Sequence, residues 1–376
     1  MLIEIHMLKN YPATNLNRDD TGAPKNCIFG GIQRSRISSQ CLKRSWRMSP
    51  LFQKDMAGHL GTRTRQMPQL VVGRLKEAGV AEEYLPVVQK RLTGFANKSG
   101  KETDTGMTSQ VVIYAPEDID AIAEAVKSVI DECESVKAFE KKKATDLEAL
   151  VKDAAHRPVS LDIALWGRMV TSAAFADVEA SMQVAHAFST NKVIMESDFF
   201  TAMDDMIEEA DEVGSGMMGD VDYNSSCYYI YASLDTDKLK ENLRYADSPD
   251  ALVKAAVPAL LRAMAFTSPS GKQNTFAGHS LPSAVLVECK TEPIPVSYAN
   301  AFVSPATVSK GRDLVTDSIE KLMEQEKTTM ADFPSLNEGR RFWFCTGGKV
   351  KFDQKGTTDC GNFDELVKFV TEALEK

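Results

Sequence analysis

No run of about 18 apolar residues occurs in this 376-residue chain, so the sequence offers no membrane span. Its first residues, MLIEIHMLKNYP, carry neither a basic leader nor a small-residue cleavage site, and no signal peptide is expected. Cys-x-x-Cys spacing is missing. The seven cysteines (Cys27, Cys41, Cys133, Cys227, Cys289, Cys345 and Cys360) are odd in number and scattered. That pattern argues against a zinc ribbon and a disulfide framework, and for reduced thiols in a cytoplasmic protein. The histidines His6, His59, His156, His186 and His279 form no His-x-His or His-Glu-x-x-His pair, so no metal is expected. Gly271-Lys272 lacks the upstream glycine and the Ser/Thr of a phosphate-binding loop. No Gly-x-Ser-x-Gly nucleophile signature and no tandem repeat is present. These absences leave no positive sign of an enzyme, and no cofactor is expected.

What is present is uneven charge. The chain carries −9 overall with a pI near 5.3, and its 43% hydrophobic and 26% charged residues are ordinary for a globular protein. Residues 18–47, however, hold seven basic residues against two acids, a local balance of +5. Residues 196–222 hold ten acids and no Lys or Arg. The acidic stretch lacks the alternating ligands and closing Glu of a calcium loop.

The basic segment ends in a readable helix. Ser38 or Ser39 is a suitable N-cap for the run QCLKRSWR. Gln40, Lys43, Arg44 and Arg47 fall at i, i+3, i+4 and i+7, one helical face, while Leu42 and Trp46 fall on another and can pack inward. Two readings stand here: a solvated basic face, or a surface for a polyanion. The loop upstream shares the basic bias, which favours nucleic acid.

Elsewhere the pattern predicts an α+β chain. Residues 2–9 are mostly apolar on both alternating faces and predict a buried strand. Residues 32–38 predict a second strand carrying Arg34 and Arg36 on one side, where each can salt-bridge locally. Residues 50–155 predict a mainly helical block, with a long tract running from Pro116 to about Ala155. Within it, FEKKKATD (139–146) reads as a solvated helix or hinge. Residues 159–170 (VSLDIALWGRMV) and 182–190 (MQVAHAFST) predict strands, with His186 as a hydrogen-bonded core histidine. Strands are also expected at 227–235 and 283–289, and helices at 236–245, 249–266, 307–326 and 362–375. The stretch between the strands near 190 and 227 is longer than ordinary connections, which marks it as functional or disordered.

The string LNRDDTGAPKNCIFGG, with RSRISSQCLKRSWR after it, resembles the N-terminal part of the CasC-type backbone subunit of Cascade, the RNA-guided surveillance complex of type I-E CRISPR systems. The resemblance continues in order through DIALWGRM, QVAHAFST, SDFFTAMDD with GSGMMG, and SGKQNTFA, to about residue 305. It implies an RRM-like (ferredoxin-like) antiparallel palm sheet with a helical fingers insertion and a thumb hairpin. On this chain the palm takes 1–49, 181–190 and 225–376, the fingers 50–180 and the thumb 191–224. It implies guide RNA as ligand and copies of the same chain as neighbours in a filament, each thumb folding over the RNA held by the next. It also implies other Cascade subunits as partners, and a target DNA strand that pairs with the guide.

The resemblance places Arg18, Lys25, Ser38, Gln40, Lys43, Arg44 and Arg47 on the guide's phosphates, with Lys272 and Gln273 as a further pair. Met169 and Met218 match apolar wedges between bases, and Phe200, with Phe199 beside it, matches an aromatic near a displaced base. Such binding is independent of sequence, which is read by base pairing. Met169 and Met218 also suit core filling, and the two phenylalanines suit anchoring the thumb base. The thumb's balance of −10 over 196–222 departs from what RNA favours, and its acidic face is expected to meet a neighbour's basic surface or solvent. Two other functions compete. One is an endoribonuclease trimming CRISPR RNA, for which Asp20, His6, His186 or Lys43 would have to serve. The other is a scaffold that binds no nucleic acid.

Overall fold

Both alternating faces of residues 2–9 are apolar because the strand they form is covered on both sides, and it runs further than predicted, as β1 (Leu2–Thr14). The computed structural model describes residues 1–97, 99–151, 154–170, 172, 174–202, 217–348 and 350–375. The strands that follow are β2 (Asn26–Phe29), β3 (Ile32–Ile37), β4 (Thr62–Thr64), β5 (Val112–Tyr114), β6 (Met182–Val184), β7 (Ala187–Ser189), β8 (Glu196–Ala202), β9 (Met217–Asp235), β10 (Pro282–Lys290), β11 (Gly339–Cys345) and β12 (Thr357–Asp359). The described residues divide into two units. The first comprises Met1–Lys54, Gln183–Asp235 and Val257–Lys376; the second comprises Asp55–Met182 and Thr236–Ala256.

The first unit is built on a sheet of order β12-β11-β10-β1-β9-β7-β3-β2, with β6 and β8 also pairing β9. β1 pairs antiparallel with β9 and β10, as do β10 with β11, β2 with β3, β3 with β7, and β9 with β7 and β8, while β11 and β12 run parallel. The chain is thus α+β with a large, mainly antiparallel sheet. On one face, Leu8, Tyr229, Leu286 and Trp343 pack with Ile319, Leu322 and Met330 of the helix Leu314–Asp332. On the other face the helix Phe363–Ala373 packs on β10 and β11, with Phe369 stacked on Phe342 at 6.0 Å. Strand β11 (GRRFWFC) escaped the sequence reading, because two adjacent arginines open it and mask its alternation. The helix expected at 307–326 lies at Leu314–Asp332, started by the Asp313 carboxylate, which accepts from Thr316 N at 2.7 Å.

That first face is not all apolar. Glu4 sits directly across β10 from Glu288, which sits across β11 from Arg341. Two buried acids face to face require compensation. Lys290 pairs with Glu4, Tyr231 donates to Glu4 at 2.5 Å, and Arg341 reaches Glu288 at 3.2 Å and Glu326 at 3.0 Å. His6 bridges Tyr229 (2.8 Å) and Glu288 (3.2 Å), with its ring 4.5 Å from that of Tyr298. Burial pushes the Glu288 carboxyl up, but His6, Lys290 and Arg341 outweigh it and hold it near 2. Burial dominates at Glu326, which is pushed up to about 7 although Arg341 pulls it down.

The second unit is helical, apart from the short β4–β5 pair. Met67–Glu77, Leu85–Leu92 and Pro116–Asp131 bury Val71, Leu75, Val88, Leu92, Ile122 and Val126 in one core. The long tract predicted from Pro116 is instead three helices, Pro116–Asp131, Val136–Phe139 and Ala144–Leu150. The first ends at Asp131, Ser135 in extended conformation (φ −162°) precedes the second, and Asp146, accepting from Lys143 N at 3.3 Å, starts the last. Residues 159–170 also correct a prediction: they hold a helix, Leu161–Trp166, rather than a strand. Leu161 to Leu165 are all fully buried, Asp162 included, so no exposed face marks the run and its periodicity carries no signal.

The buried acid on Leu314–Asp332 sets a pH dependence. The folded state holds the Glu326 proton up to about pH 7, whereas the unfolded chain loses it near the ordinary 4.5. This group's contribution to stability is therefore greatest below pH 4.5 and falls as pH rises toward 7. Urea titrations of wild type and Glu326→Gln are expected to diverge between about pH 4.5 and 7, the wild type losing stability relative to the variant across that window, and to run parallel above it. Equal pH profiles would contradict the assignment.

Candidate nucleic-acid interface

The helix α1 (Ser39–Arg47) forms where its sequence requires. Ser38 is extended (φ −69°, ψ 147°) and its Oγ accepts from Cys41 N at 3.3 Å. Leu42 and Trp46 are buried, which turns Gln40, Lys43 and Arg44 outward, with Arg47 half-buried at the end. Partial burial pulls the Lys43 ammonium below its ordinary value.

The Arg18–Lys25 loop is folded by Asp19. Its Oδ1 accepts from Thr21 N (2.9 Å), Thr21 Oγ1 (2.7 Å) and Ala23 N (3.1 Å). The hydrogen bond from Thr21 holds the Asp19 carboxyl below the ordinary range. Asn17 then ties this loop to the helix, its Oδ1 accepting from Ser38 N at 2.9 Å. Asn15, fully buried, donates through Nδ2 to Gly22 O at 3.0 Å and to Asp222 O at 2.8 Å. One amide thus joins the basic loop to the base of the β8–β9 hairpin.

The SGKQN loop closes on the same stretch. A Cβ at Gly271 would lie 2.3 Å from Leu16 O and 2.6 Å from Asn15 O, so only glycine allows this approach. Lys272 caps the short helix Gln273–Phe276 in left-handed conformation (φ +49°). The Gln273 amide donates to Pro269 O (2.7 Å) and Gly278 O (3.3 Å), so in this structure its nitrogen closes the loop rather than facing outward. Upstream, the buried Lys9 donates to Ala265 O and Thr267 O, each at 3.0 Å, and burial alone lowers its pKa to about 7. Tyr11 adds a bond to Ser268 Oγ at 3.2 Å. Three cation-bearing segments, the Arg18 loop, α1 and the Lys272 loop, are therefore locked to residues 14–17.

The hairpin of β8 and β9 rises from this junction, with Tyr223 against Phe276 (5.6 Å between rings). Its register pairs Phe199 with Asp220, Phe200 with Gly219 and Thr201 with Met218. Cross-strand partners share a face. Met218 (66% exposed) therefore lies on the face of Phe199 (63%), and Phe200 (37%) lies on the opposite face, its ring over Gly219. The described acids split likewise: Asp220 and Asp222 on the Met218 face, Glu196 and Asp198 on the other. Asp204, Asp205, Glu208, Glu209, Asp211 and Glu212 lie outside the described residues.

In the second unit Met169 is 91% exposed. Its neighbours hold it there. Arg168 exchanges backbone bonds with Val178 (2.9 and 2.8 Å), and Val170 N donates to Asp177 Oδ1 at 2.7 Å. The Arg168 guanidinium shares buried Asp118 with Arg157.

Two residues differ from expectation. Arg34 is fully buried and makes no local salt bridge. Its guanidinium donates to Ser189 O (3.0 Å), Thr190 O (2.6 Å), Phe302 O (2.7 Å) and Val303 O (3.3 Å), which spends its charge on carbonyls inside the unit. His186 is exposed rather than in the core, and it takes a hydrogen bond from Arg36 Nη1 at 2.8 Å. The short β7 leaves its side chain on the open side of the sheet. Asn15 and Asn17 were missed altogether. Nothing in NYPATNLNRDD separates a buried asparagine from an ordinary turn residue.

Asn15→Ala would leave Gly22 O and Asp222 O without their donor. Denaturation should show a loss of about 1–3 kcal/mol, and Asn15→Asp a similar loss, because a carboxylate cannot donate. A neutral result for both would mean the amide clamps nothing.

No helix among the described residues is long and apolar enough to cross a membrane. No curated protein matches the chain. Among solved structures, a chain titled "CRISPR RNA-guided surveillance complex, pre-nicking" is 27% identical, with all of each chain covered and a TM-score of 0.83. A second, titled "CRISPR RNA-guided surveillance complex", is 23% identical over 99% of each chain at a TM-score of 0.62, a likeness that bears on the fold alone. The family of CT1975-like proteins matches residues 3–369, nearly the whole chain, and the protein belongs to that family.

Proposed function

We propose that this chain is a non-catalytic, cytoplasmic backbone subunit of a CRISPR RNA-guided surveillance complex. It polymerises along a guide RNA, grips the phosphates and segments the bases for pairing with target DNA. The observation that carries this reading is the full-length likeness, at 27% identity and a TM-score of 0.83, to a chain of such a complex. The sheet of the first unit serves as an RRM-like palm, the second unit as fingers and the β8–β9 hairpin as a thumb. Other copies of the chain and other subunits of the complex are its partners.

The chemistry suits the role. Arg18, Lys25, Lys43, Arg44 and Lys272 present cations from segments fixed to one junction, and Ser38, Gln40, Arg47 and Gln273 accompany them. Fixed cations that hold phosphates bind any sequence. Met169 and Met218 are apolar, exposed and held by anchored backbone, as wedges between bases require. Cleavage is not part of the proposal. His6 is buried in the ion network and out of reach of RNA.

Reversing both charges in Lys43→Glu/Arg44→Glu should abolish retention of guide RNA while circular dichroism stays that of the wild type. Retention with a wild-type salt dependence would remove the groove assignment. Labelled repeat RNA should stay intact with the purified protein; specific cleavage would establish the nuclease reading instead.

A further inference from the structure

We propose that Arg36 and His186 form a further phosphate-binding pair, continuous with the Lys25 contact; this rests on the RNA-binding reading above. The pair is built on strands, not on a loose surface. Arg36 lies on β3, and its backbone N–H donates to Lys25 O at 2.8 Å. The β2–β3 register, which pairs Asn26 with Ser35, sets Lys25 directly across from Arg36. His186 immediately precedes β7, which pairs with β3 through Arg36 and Phe188.

The hydrogen bonds fix which donors remain. A guanidinium only donates, so the His186 Nδ1 facing Arg36 Nη1 at 2.8 Å must accept, and the neutral ring carries its proton on Nε2. Arg36 Nε is spent on Asn26 O at 3.2 Å. Among the described residues, Arg36 Nη2 and His186 Nε2 have no protein partner. The exposed ring therefore offers one N–H beside an unspent guanidinium N–H, the two-donor arrangement that suits a phosphate.

The electrostatics point the same way. Like charges directly opposite on paired strands repel, yet Lys25 and Arg36 are held so, and no acid among the described residues pairs with either. Burial together with Arg36 and Lys25 pulls the His186 imidazole below its ordinary value, which keeps it neutral. Repulsion of this kind is relieved when an anion arrives. The buried Arg34, two residues away on the same strand, fixes the scaffold beneath without adding to the surface charge.

The test measures binding of the full-length protein to a fluorescent single-stranded RNA across a salt series. Arg36→Gln should weaken binding about tenfold and make the slope of log K against log salt shallower by about 0.7, one phosphate contact. His186→Ala removes a neutral donor and should weaken binding about three- to tenfold with the slope unchanged. His186→Gln, whose amide still donates, should recover part of that loss. If Arg36→Gln does not fold, His186→Ala decides alone, because that side chain is exposed. Wild-type affinity in these variants, with binding lost in Lys43→Glu/Arg44→Glu, overturns the pair and leaves the RNA-binding reading intact. Wild-type affinity in Lys43→Glu/Arg44→Glu as well overturns the reading itself.

Discussion

One side-chain amide does most to fix the geometry of this protein's basic surface. Asn15 sits fully buried at the end of a long strand and gives its two hydrogens to the carbonyl of Gly22, 7 residues on, and that of Asp222, 207 residues on. Its own carbonyl is the surface against which Gly271 lies. The basic loop, the base of the β8–β9 hairpin and the SGKQN loop consequently cannot move independently at their roots. Cations on long side chains gain little from mobile supports, because ordering them costs entropy. Here the supports are already ordered.

Much of the basic helix was legible beforehand. A hydroxyl cap, a one-face run of Gln40, Lys43, Arg44 and Arg47, and an inward Trp46 follow from helical geometry alone, and α1 has that form. Charge count was less informative. Arg34 and Arg36 look alike in IQRSRI, two residues apart on one side of a strand. One is enclosed by four carbonyls and the other reaches an exposed histidine. What separates them is what the remote segments 189–190 and 302–303 bring alongside, which no local pattern records. The same holds for His186. Its alanine neighbours suggested a core, but the strand is only three residues long and leaves it at the open surface.

The second unit failed the pattern in a different way. A helix that is buried on every side, as Leu161–Leu165 is, has no period to read, and a long amphipathic tract conceals its own breaks. The β8–β9 hairpin adds a geometric point. Met218 pairs with Thr201 and shares a face with Phe199, Phe200 lies on the opposite face, and the described acids fall on both faces. Acidity there is not confined to one side, so the cationic partner of the RNA is the palm and not the thumb in the proposed arrangement.

The central claim is that cations on a rigid palm hold RNA phosphates without regard to sequence, copy after copy. Native mass spectrometry of the purified protein with unrelated single-stranded RNAs of increasing length tests this most directly. The account predicts that the number of bound copies rises in even steps with RNA length and is the same for each sequence of a given length. A fixed stoichiometry whatever the length, or no complex at all, would contradict it.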